Sequence, residues 1–214
     1  MYKILKPKQI LLKAYLREST SKDELLAFKE DMQTLLNQIN VSESEEFNKN
    51  LVVRFFSNNL YRNNSYLINT YNRTDLAIYS GMDTPNQHPV VLFEFKKPTG
   101  QDMVTTNDLK KKSLYELVLY YIREEEQKKN TDIKHLIITN CWEYFIFEKK
   151  HFYRYFAKDE RFVQQVLKAD AGNDKTDYIY DQIIKPKVET VASELQFTHI
   201  DLRSFEHSIK KDIS

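Results

Sequence analysis

This chain has little glycine and almost no cysteine. Its 214 residues include three glycines and one cysteine. Few glycines mean few tight turns with positive φ, so we expect long helices and no glycine-rich loop that cradles phosphates. The single cysteine, Cys141, excludes a disulfide framework and a cysteine-based zinc site within the chain. A reducing, cytoplasmic setting is therefore expected.

Long apolar runs are also lacking. No stretch of about 18 apolar residues occurs, and the first nine residues have no apolar segment typical of a signal peptide. The sequence therefore predicts no membrane partner. The formal net charge is +1, so overall charge does not predict tight, non-specific binding of nucleic acid. Local clusters of lysine do occur at positions 96–97, 110–112 and 128–129.

Hydrophobic periodicity predicts helices in the first part of the chain. Pro7 suits the first turn of one helix, and Ser21 with Glu24 forms a capping box at the start of a second. Apolar positions at a spacing near 3.6 residues continue that second helix to residue 39. A third helix is predicted to begin at residue 42 or 44 and to end at residue 59.

The pattern then changes to that of strands. Apolar runs at 66–68, 75–79 and 90–96 predict three strands, and the last two form a plausible hairpin. A long amphipathic helix is predicted over 108–129, followed by strands at 133–139 and 144–147. Helices at 160–167 and 177–189 and a late strand at 195–202 complete the chain. This order indicates a mixed α/β sheet flanked by helices.

Three charged residues stand out in the predicted hairpin. Side chains two positions apart on a strand share a face, so Glu94 and Lys96 lie on one surface while Phe93 and Phe95 face the other. Asp75 opens the neighbouring strand, and its carboxylate can converge on Glu94. Two carboxylates form the hard oxygen site that Mg²⁺ prefers. Lys96 can orient a metal-bound water or stabilise negative charge, so the three residues suit phosphodiester hydrolysis.

The stretches TDLAI at 74–78 and FEFKK at 93–97 resemble the D…ExK signature of the PD-(D/E)xK nuclease superfamily. The predicted order αβββαβ, with the helix over 44–59 as its first element, matches that superfamily's core. Over nearly its full length the chain is similar to the N-terminal nuclease region of type IIG restriction-modification enzymes. The similar stretches are LKPKQ at 5–9, ESEEFNKN at 43–50, ELVLYY at 116–121 and KHLIITN at 134–140.

The resemblance implies roles for individual residues. Asp75 and Glu94 would bind Mg²⁺ together with the main-chain carbonyl of Phe95, and Lys96 would work beside the attacking water. The superfamily also suggests a metal-facing glutamate on the first core helix. Glu46 is the preferred candidate for that position, and Glu45 is the reserve.

Other residues near this motif are candidates for contact with DNA. Lysines can bind the backbone and give affinity without sequence information. Arg73, beside Asp75, is equally suited to bind a phosphate or to form a structural ion pair. One of the tyrosines on the long helix could touch DNA or orient Lys96, whereas core packing is expected for Tyr121. The DNA-binding candidates are Arg73, Lys97, Lys110, Lys111 and Lys112.

The chain also departs from the family's pattern. Thr74 stands where the motif has proline, and neither an Asn-Pro-Pro-Tyr methyltransferase motif nor a glycine-rich SAM loop occurs. The chain therefore looks like a nuclease fragment or a stand-alone nuclease. The resemblance implies methyltransferase and target-recognition domains outside this chain, and cutting both DNA strands could require two copies of the nuclease.

We therefore expect one nuclease domain over 1–214 with a restriction-endonuclease-like α/β core. N-terminal helices would occupy 1–41, the catalytic core 42–148, and a helical and strand extension 149–214. The expected function is Mg²⁺-dependent cleavage of double-stranded DNA, as the restriction module of a type IIG enzyme. Two alternatives stay open: a non-cutting DNA-binding or scaffold module that docks a methyltransferase, and an RNA-processing or repair nuclease with the same trio.

Overall fold

A mixed β-sheet organises the described part of the chain. The structure is a computed structural model that describes residues 2–11, 13, 15–59, 66–71, 74–80, 88–172 and 175–206. Within these residues seven strands pair in the order β1-β7-β6-β5-β4-β3-β2. The strands are β1 (Lys3–Leu5), β2 (Tyr66–Tyr71), β3 (Thr74–Ser80), β4 (Pro89–Phe95), β5 (His135–Thr139), β6 (Glu143–Glu148) and β7 (Gln196–Asp201).

Strand directions agree with the predicted mixed sheet. The pairs β1–β7 and β4–β5 are parallel, and the other four pairs are antiparallel. The predicted pairing of β3 with β4 is confirmed, with Leu76 opposite Phe93 and Ala77 opposite Leu92. The parallel step from β4 to β5 is made through a helix, as parallel neighbours require.

Helices cover both faces of the sheet. They are α1 (Pro7–Ile10), α2 (Lys22–Gln38), α3 (Glu45–Asn59), α4 (Lys112–Ile122), α5 (Lys149–Phe152), α6 (Glu160–Ala171), α7 (Thr176–Tyr178) and α8 (Lys185–Val191). The predicted capping box of α2 is present: Ser21 Oγ accepts a hydrogen bond from the Glu24 N–H, and the Glu24 carboxylate accepts one from the Ser21 N–H. No described helix is long and apolar enough to cross a membrane.

Alternation along the strands divides the core into two layers. Ala77, Leu92 and Leu136 pack on the side of α4 and the C-terminal helices. Leu76, Ile78 and Phe93 face the opposite side, where α2 and α3 lie. The elements α3, β2, β3, β4, α4 and β5 follow one another in the predicted order αβββαβ. The α/β class is therefore confirmed, and the assignment to a restriction-endonuclease-like core stays a prediction.

The structure differs from the sequence prediction at α4 and near the N-terminus. The helix predicted from residue 108 begins at Lys112, because Asp108 Oδ1 accepts the Lys110 N–H at 2.8 Å and forms a local turn that competes with helix. It then continues beyond Ile122 as a π-helical segment, Arg123–Gln127. Strand β1 was not predicted, because its three residues have partly or fully exposed side chains and no recognisable alternation.

Candidate active site

The candidate site lies where β3 and β4 meet α4. Glu94 is only 1% exposed and points to the α4 side of the sheet, with Lys96 on the same side just after the strand. Phe93 and Phe95 pack into clusters on the opposite face. The predicted separation of the two charged residues from the two aromatic ones is therefore confirmed.

Asp75 joins the site through the backbone of β4. The register that sets Leu76 opposite Phe93 places Asp75 opposite Glu94. Asp75 Oδ2 accepts a hydrogen bond from the Phe95 N–H at 3.0 Å. In an extended strand the N–H and C=O of one residue point toward the same neighbouring strand, so the Phe95 carbonyl lies on the Asp75 side of β4.

Lys96 joins two carboxylates across the gap between sheet and helix. Its Nζ forms ion pairs with Glu94 Oε1 and, at 2.5 Å, with Glu116 Oε2 on α4. The Lys96 and Glu116 side chains are 13% and 14% exposed. The sequence prediction did not include Glu116 as a site residue. One feature of the sequence could have indicated Glu116. It is the single acidic residue in a stretch of α4, 113–119, whose other residues are all buried.

The electrostatics of the cluster follow from its burial. Burial raises the pKa of Glu94 well above its ordinary value, and the Asp75 charge raises it further, against the opposing effect of Lys96. Burial alone would lower the pKa of Lys96, but the charges of Glu94 and Glu116 outweigh it and raise that pKa. Lys96 is therefore held in its protonated form.

A second glutamate approaches the site from α3. Glu45 Oε2 accepts a hydrogen bond from the Lys97 N–H at 3.0 Å. Burial raises the pKa of Glu45, and Lys96 and Asp75 both act on it electrostatically. Glu46 instead has a 62% exposed side chain and pairs with Lys49 at 2.6 Å. The structure thus brings the reserve candidate, Glu45, to the cluster and leaves the preferred one, Glu46, on the surface.

The long helix contributes two tyrosines with different environments. Tyr120 is half-buried; burial raises the pKa of its hydroxyl, and the charges of Glu94 and Asp75 raise it further. Tyr121 is fully buried and packs edge to face against Phe152 with ring centroids 5.5 Å apart. The core role predicted for Tyr121 is confirmed.

The predicted DNA-contact residues have varied surroundings. Lys97 is half-buried, and Lys110 is exposed. Lys111 lies 3.5 Å from Asp108, and Lys112 lies 3.7 Å from Asp177. The three lysines directly precede or begin α4, the helix that carries Glu116. Arg73 lies outside the described residues.

The oxygen atoms of this site suit Mg²⁺ chemically. Glu94 Oε2 is buried and has no hydrogen-bond partner among the described residues, which is costly unless a donor or cation satisfies it. Asp75, Glu94 and the Phe95 carbonyl supply hard oxygen donors. The described residues contain no group of three acidic, histidine or cysteine side chains arranged to hold a metal. Mg²⁺ usually takes only one or two carboxylates and keeps several waters, so this donor set fits it.

Fold and site together define an α/β protein with a buried acid–lysine cluster at the ends of two sheet strands. The chain belongs to the family described as "Domain of unknown function (DUF7149)", whose profile matches residues 5–214. No curated protein and no solved structure matches the chain. These comparisons do not link the chain to PD-(D/E)xK nucleases, so that resemblance stays a hypothesis.

Proposed function

We propose that this protein is a Mg²⁺-dependent endodeoxyribonuclease that hydrolyses phosphodiester bonds of double-stranded DNA. The observation that carries the proposal is the convergence of Asp75, Glu94 and Lys96 from neighbouring strands. The Asp75 carboxylate is tied to the backbone between the other two residues, and Lys96 Nζ contacts Glu94 directly. Phosphodiester hydrolysis needs groups of both charges, which bind a metal and stabilise negative charge.

The metal would be held by the carboxylates of Asp75 and Glu94 and by the Phe95 carbonyl. A bound Mg²⁺ supplies charge neutralisation at the phosphate and lowers the pKa of a bound water. The pKa of Lys96 is raised, whereas a general base at neutral pH needs a lowered one. Lys96 therefore acts as a cation that donates hydrogen bonds to the reacting phosphate or to the attacking water.

Two further glutamates hold this arrangement in place. Glu116 fixes the Lys96 ammonium from α4 at 2.5 Å, so it positions Lys96 without touching the substrate. Glu45 binds the backbone N–H of Lys97 and so fixes the chain as it leaves β4. The first contact restricts the Lys96 side chain and the second restricts the backbone beside it, and such pre-organisation supports electrostatic catalysis.

The biological setting of the proposal rests on the family resemblance. The chain would be the restriction module of a type IIG restriction-modification enzyme, working with methyltransferase and target-recognition domains outside this chain. Two copies of the nuclease would meet to cut both DNA strands. The lysines at 97 and 110–112 would contact the backbone, which positions DNA without reading its sequence.

Cleavage of supercoiled plasmid tests the proposal. The wild-type chain is expected to nick the plasmid with Mg²⁺ and to be inactive in EDTA, and Asp75→Ala is expected to lose about 100-fold or more of the rate. Asp23→Ala, at an exposed aspartate in the first turn of α2, is the matched control and should keep near-wild-type activity. Equal cutting by Asp75→Ala and wild type would reject the site. Duplex RNA, run in parallel, should remain intact; preferential RNA cutting would move the proposal to an RNA nuclease.

A specific observation favours a second candidate, a scaffold that docks a methyltransferase. On the sheet face opposite the acid–lysine cluster, an almost wholly apolar groove of about 390 Å³ is lined by residues that include Phe28, Phe56 and Ile137. The nearby helix α2 also exposes Leu25 and Leu26. Exposed apolar patches of this kind mark interaction surfaces. A folded chain that never cuts DNA but co-elutes with a methyltransferase on size exclusion would support this second candidate.

A further inference from the structure

A polar pocket of about 450 Å³ lies at the N-terminal end of α4. One wall is formed by the segment before α4 and by its first turn, including Lys112 and Tyr115. The other wall is formed by the helical segment that leads into α8, including Tyr180 and Lys185. The pocket therefore joins the predicted catalytic core to the C-terminal extension.

This pocket is adjacent to the acid–lysine cluster. Tyr115 lines the pocket and directly precedes Glu116, the carboxylate that holds Lys96. Tyr180 also lines it; burial raises the Tyr180 pKa, and the charges of Glu116 and Glu94 raise it further. Tyr115 and Tyr180 also belong to the same core cluster on the α4 side of the sheet, the side to which Glu94 and Lys96 point.

The charges around the pocket indicate what it can bind. Four lysines line it, Lys185 and the three at 110–112, against three aspartates at 102, 177 and 181, which leaves one excess positive charge. Lys111 and Lys112 have aspartate neighbours at 3.5 and 3.7 Å. Lys110 and Lys185 form no ion pair within the described parts of the chain. A net charge of one suits a single phosphodiester group, which carries one negative charge, better than a dense polyanion.

We propose that this pocket binds one phosphodiester of the substrate backbone close to the scissile bond, with Lys110 and Lys185 as its cations. Lysine ammonium groups bind phosphate as point charges. The inference rests on the proposed function and extends it, because it gives the C-terminal extension a part in holding the substrate strand. The aspartates of the pocket oppose binding and limit it to a single phosphate.

The salt dependence of DNA binding tests the pocket. Fluorescence anisotropy with a labelled duplex in EDTA measures Kd over a range of salt concentrations without cleavage. Each lost lysine–phosphate contact reduces the slope of log K against log salt by about 0.9 for duplex DNA. Lys185→Ala should therefore show that reduction and bind up to about tenfold more weakly near 0.1 M salt.

Lys187→Ala is the matched control for this test. Lys187 lies on the same helix, α8, and removal of its ammonium changes the total charge equally. It does not line the pocket, and it pairs with Asp159 at 2.7 Å. The slope for Lys187→Ala should equal that of wild type. Asp181→Asn should shift affinity in the opposite direction and tighten binding, because it removes a negative charge from the pocket wall.

The outcomes separate this inference from the proposed function. The proposed phosphate site would be rejected by either of two results. One is an equal salt slope for Lys185→Ala and wild type, and the other is an equal loss of DNA affinity in Lys185→Ala and Lys187→Ala. The expected slope change in a protein that never cuts DNA would support the pocket and reject the nuclease. A wild-type chain that binds no duplex would overturn the pocket as well, provided that thermal unfolding shows it to be folded.

Discussion

At the scale of single residues, the buried carboxylate of Glu94 makes the stability of the fold depend on pH. Burial and the neighbouring charge of Asp75 raise its pKa in the folded chain. The folded state therefore keeps a proton at pH values where the unfolded chain has lost it. The contribution of Glu94 to stability is therefore greatest at low pH and falls as pH rises above about 4.5, the ordinary pKa of glutamate.

Glu94→Gln should therefore stabilise the metal-free protein at alkaline pH. In EDTA at pH 8 the variant should melt about 2–4 °C above wild type, the shift expected from roughly 1 kcal/mol in a chain of this size. Lys96 keeps Glu116 as its partner, so the variant leaves no isolated cation. The difference should shrink toward pH 5. Glu46→Gln, at an exposed carboxylate, is the control. A Glu94→Gln variant that melts below wild type at pH 8 would show that the pKa of Glu94 is not raised in the folded chain.

Glu116 is the residue through which α4 acts on Lys96. Its charge is one of the two that raise the Lys96 pKa, so Glu116→Gln should lower that pKa. Without this carboxylate the Lys96 ammonium is no longer fixed from α4, so kcat should fall about tenfold with KM little changed. Glu116→Asp keeps the charge and should restore part of that loss.

Glu126→Gln provides the comparison for this variant. Glu126 lies on the π-helical continuation of α4 and pairs with Lys129 rather than with Lys96. Its removal should leave kcat and KM unchanged. Equal kcat values for Glu116→Gln and Glu126→Gln would show that Glu116 does not position Lys96.

At the scale of elements, α3 is held at its start by a buried asparagine. Asn48 Oδ1 accepts the Asn40 N–H at 3.0 Å, and its Nδ2 donates to the carbonyls of Asn40 and Ser44 at 2.9 and 3.0 Å. These bonds fix the connection from α2 to α3. They also fix the turn that carries Glu45.

Loss of the Asn48 side chain should destabilise the fold. Asn48→Ala removes three hydrogen bonds made by a buried side chain, which costs about 1–3 kcal/mol, and should lower the melting temperature by several degrees. Asn50→Ala removes the same side chain two positions on, where it is exposed, and should have little effect. Thermal unfolding followed by circular dichroism measures both. Equal melting temperatures for the two variants would contradict the role of Asn48.

Local sequence patterns predicted most of the helices and strands and the three site residues Asp75, Glu94 and Lys96, but not Glu116. The apolar run at 90–96 predicted the strand and its pairing with β3. The two-residue repeat of a strand predicted the shared face of Glu94 and Lys96, because that repeat is a local property. Glu116 was missed because its pairing with Lys96 depends on how α4 crosses the sheet. The choice between Glu45 and Glu46 depends on the rotation of α3, which adjacent residues do not determine on their own.

At the scale of the whole molecule, the two faces of the sheet carry different surfaces. The acid–lysine cluster and the polar pocket at the start of α4 lie on the α4 side, where Tyr115 and Tyr180 belong to the same core cluster. The apolar groove lies on the opposite side, over Phe93 and Ile137. DNA could therefore be cut on one face while a partner protein occupies the other, so catalysis and docking are compatible in one chain.

The most direct test of the account compares Lys96→Ala with Lys97→Ala in single-turnover cleavage of duplex DNA at saturating protein with Mg²⁺. The two variants lose the same charge at adjacent positions, but only Lys96 contacts Glu94 and Glu116. The account predicts a rate constant lower by about 10²–10³-fold for Lys96→Ala. Lys97→Ala should lose less than about tenfold, because its loss affects binding rather than chemistry. Equal losses in the two variants, or full activity in Lys96→Ala, would contradict a catalytic centre built on Asp75, Glu94 and Lys96.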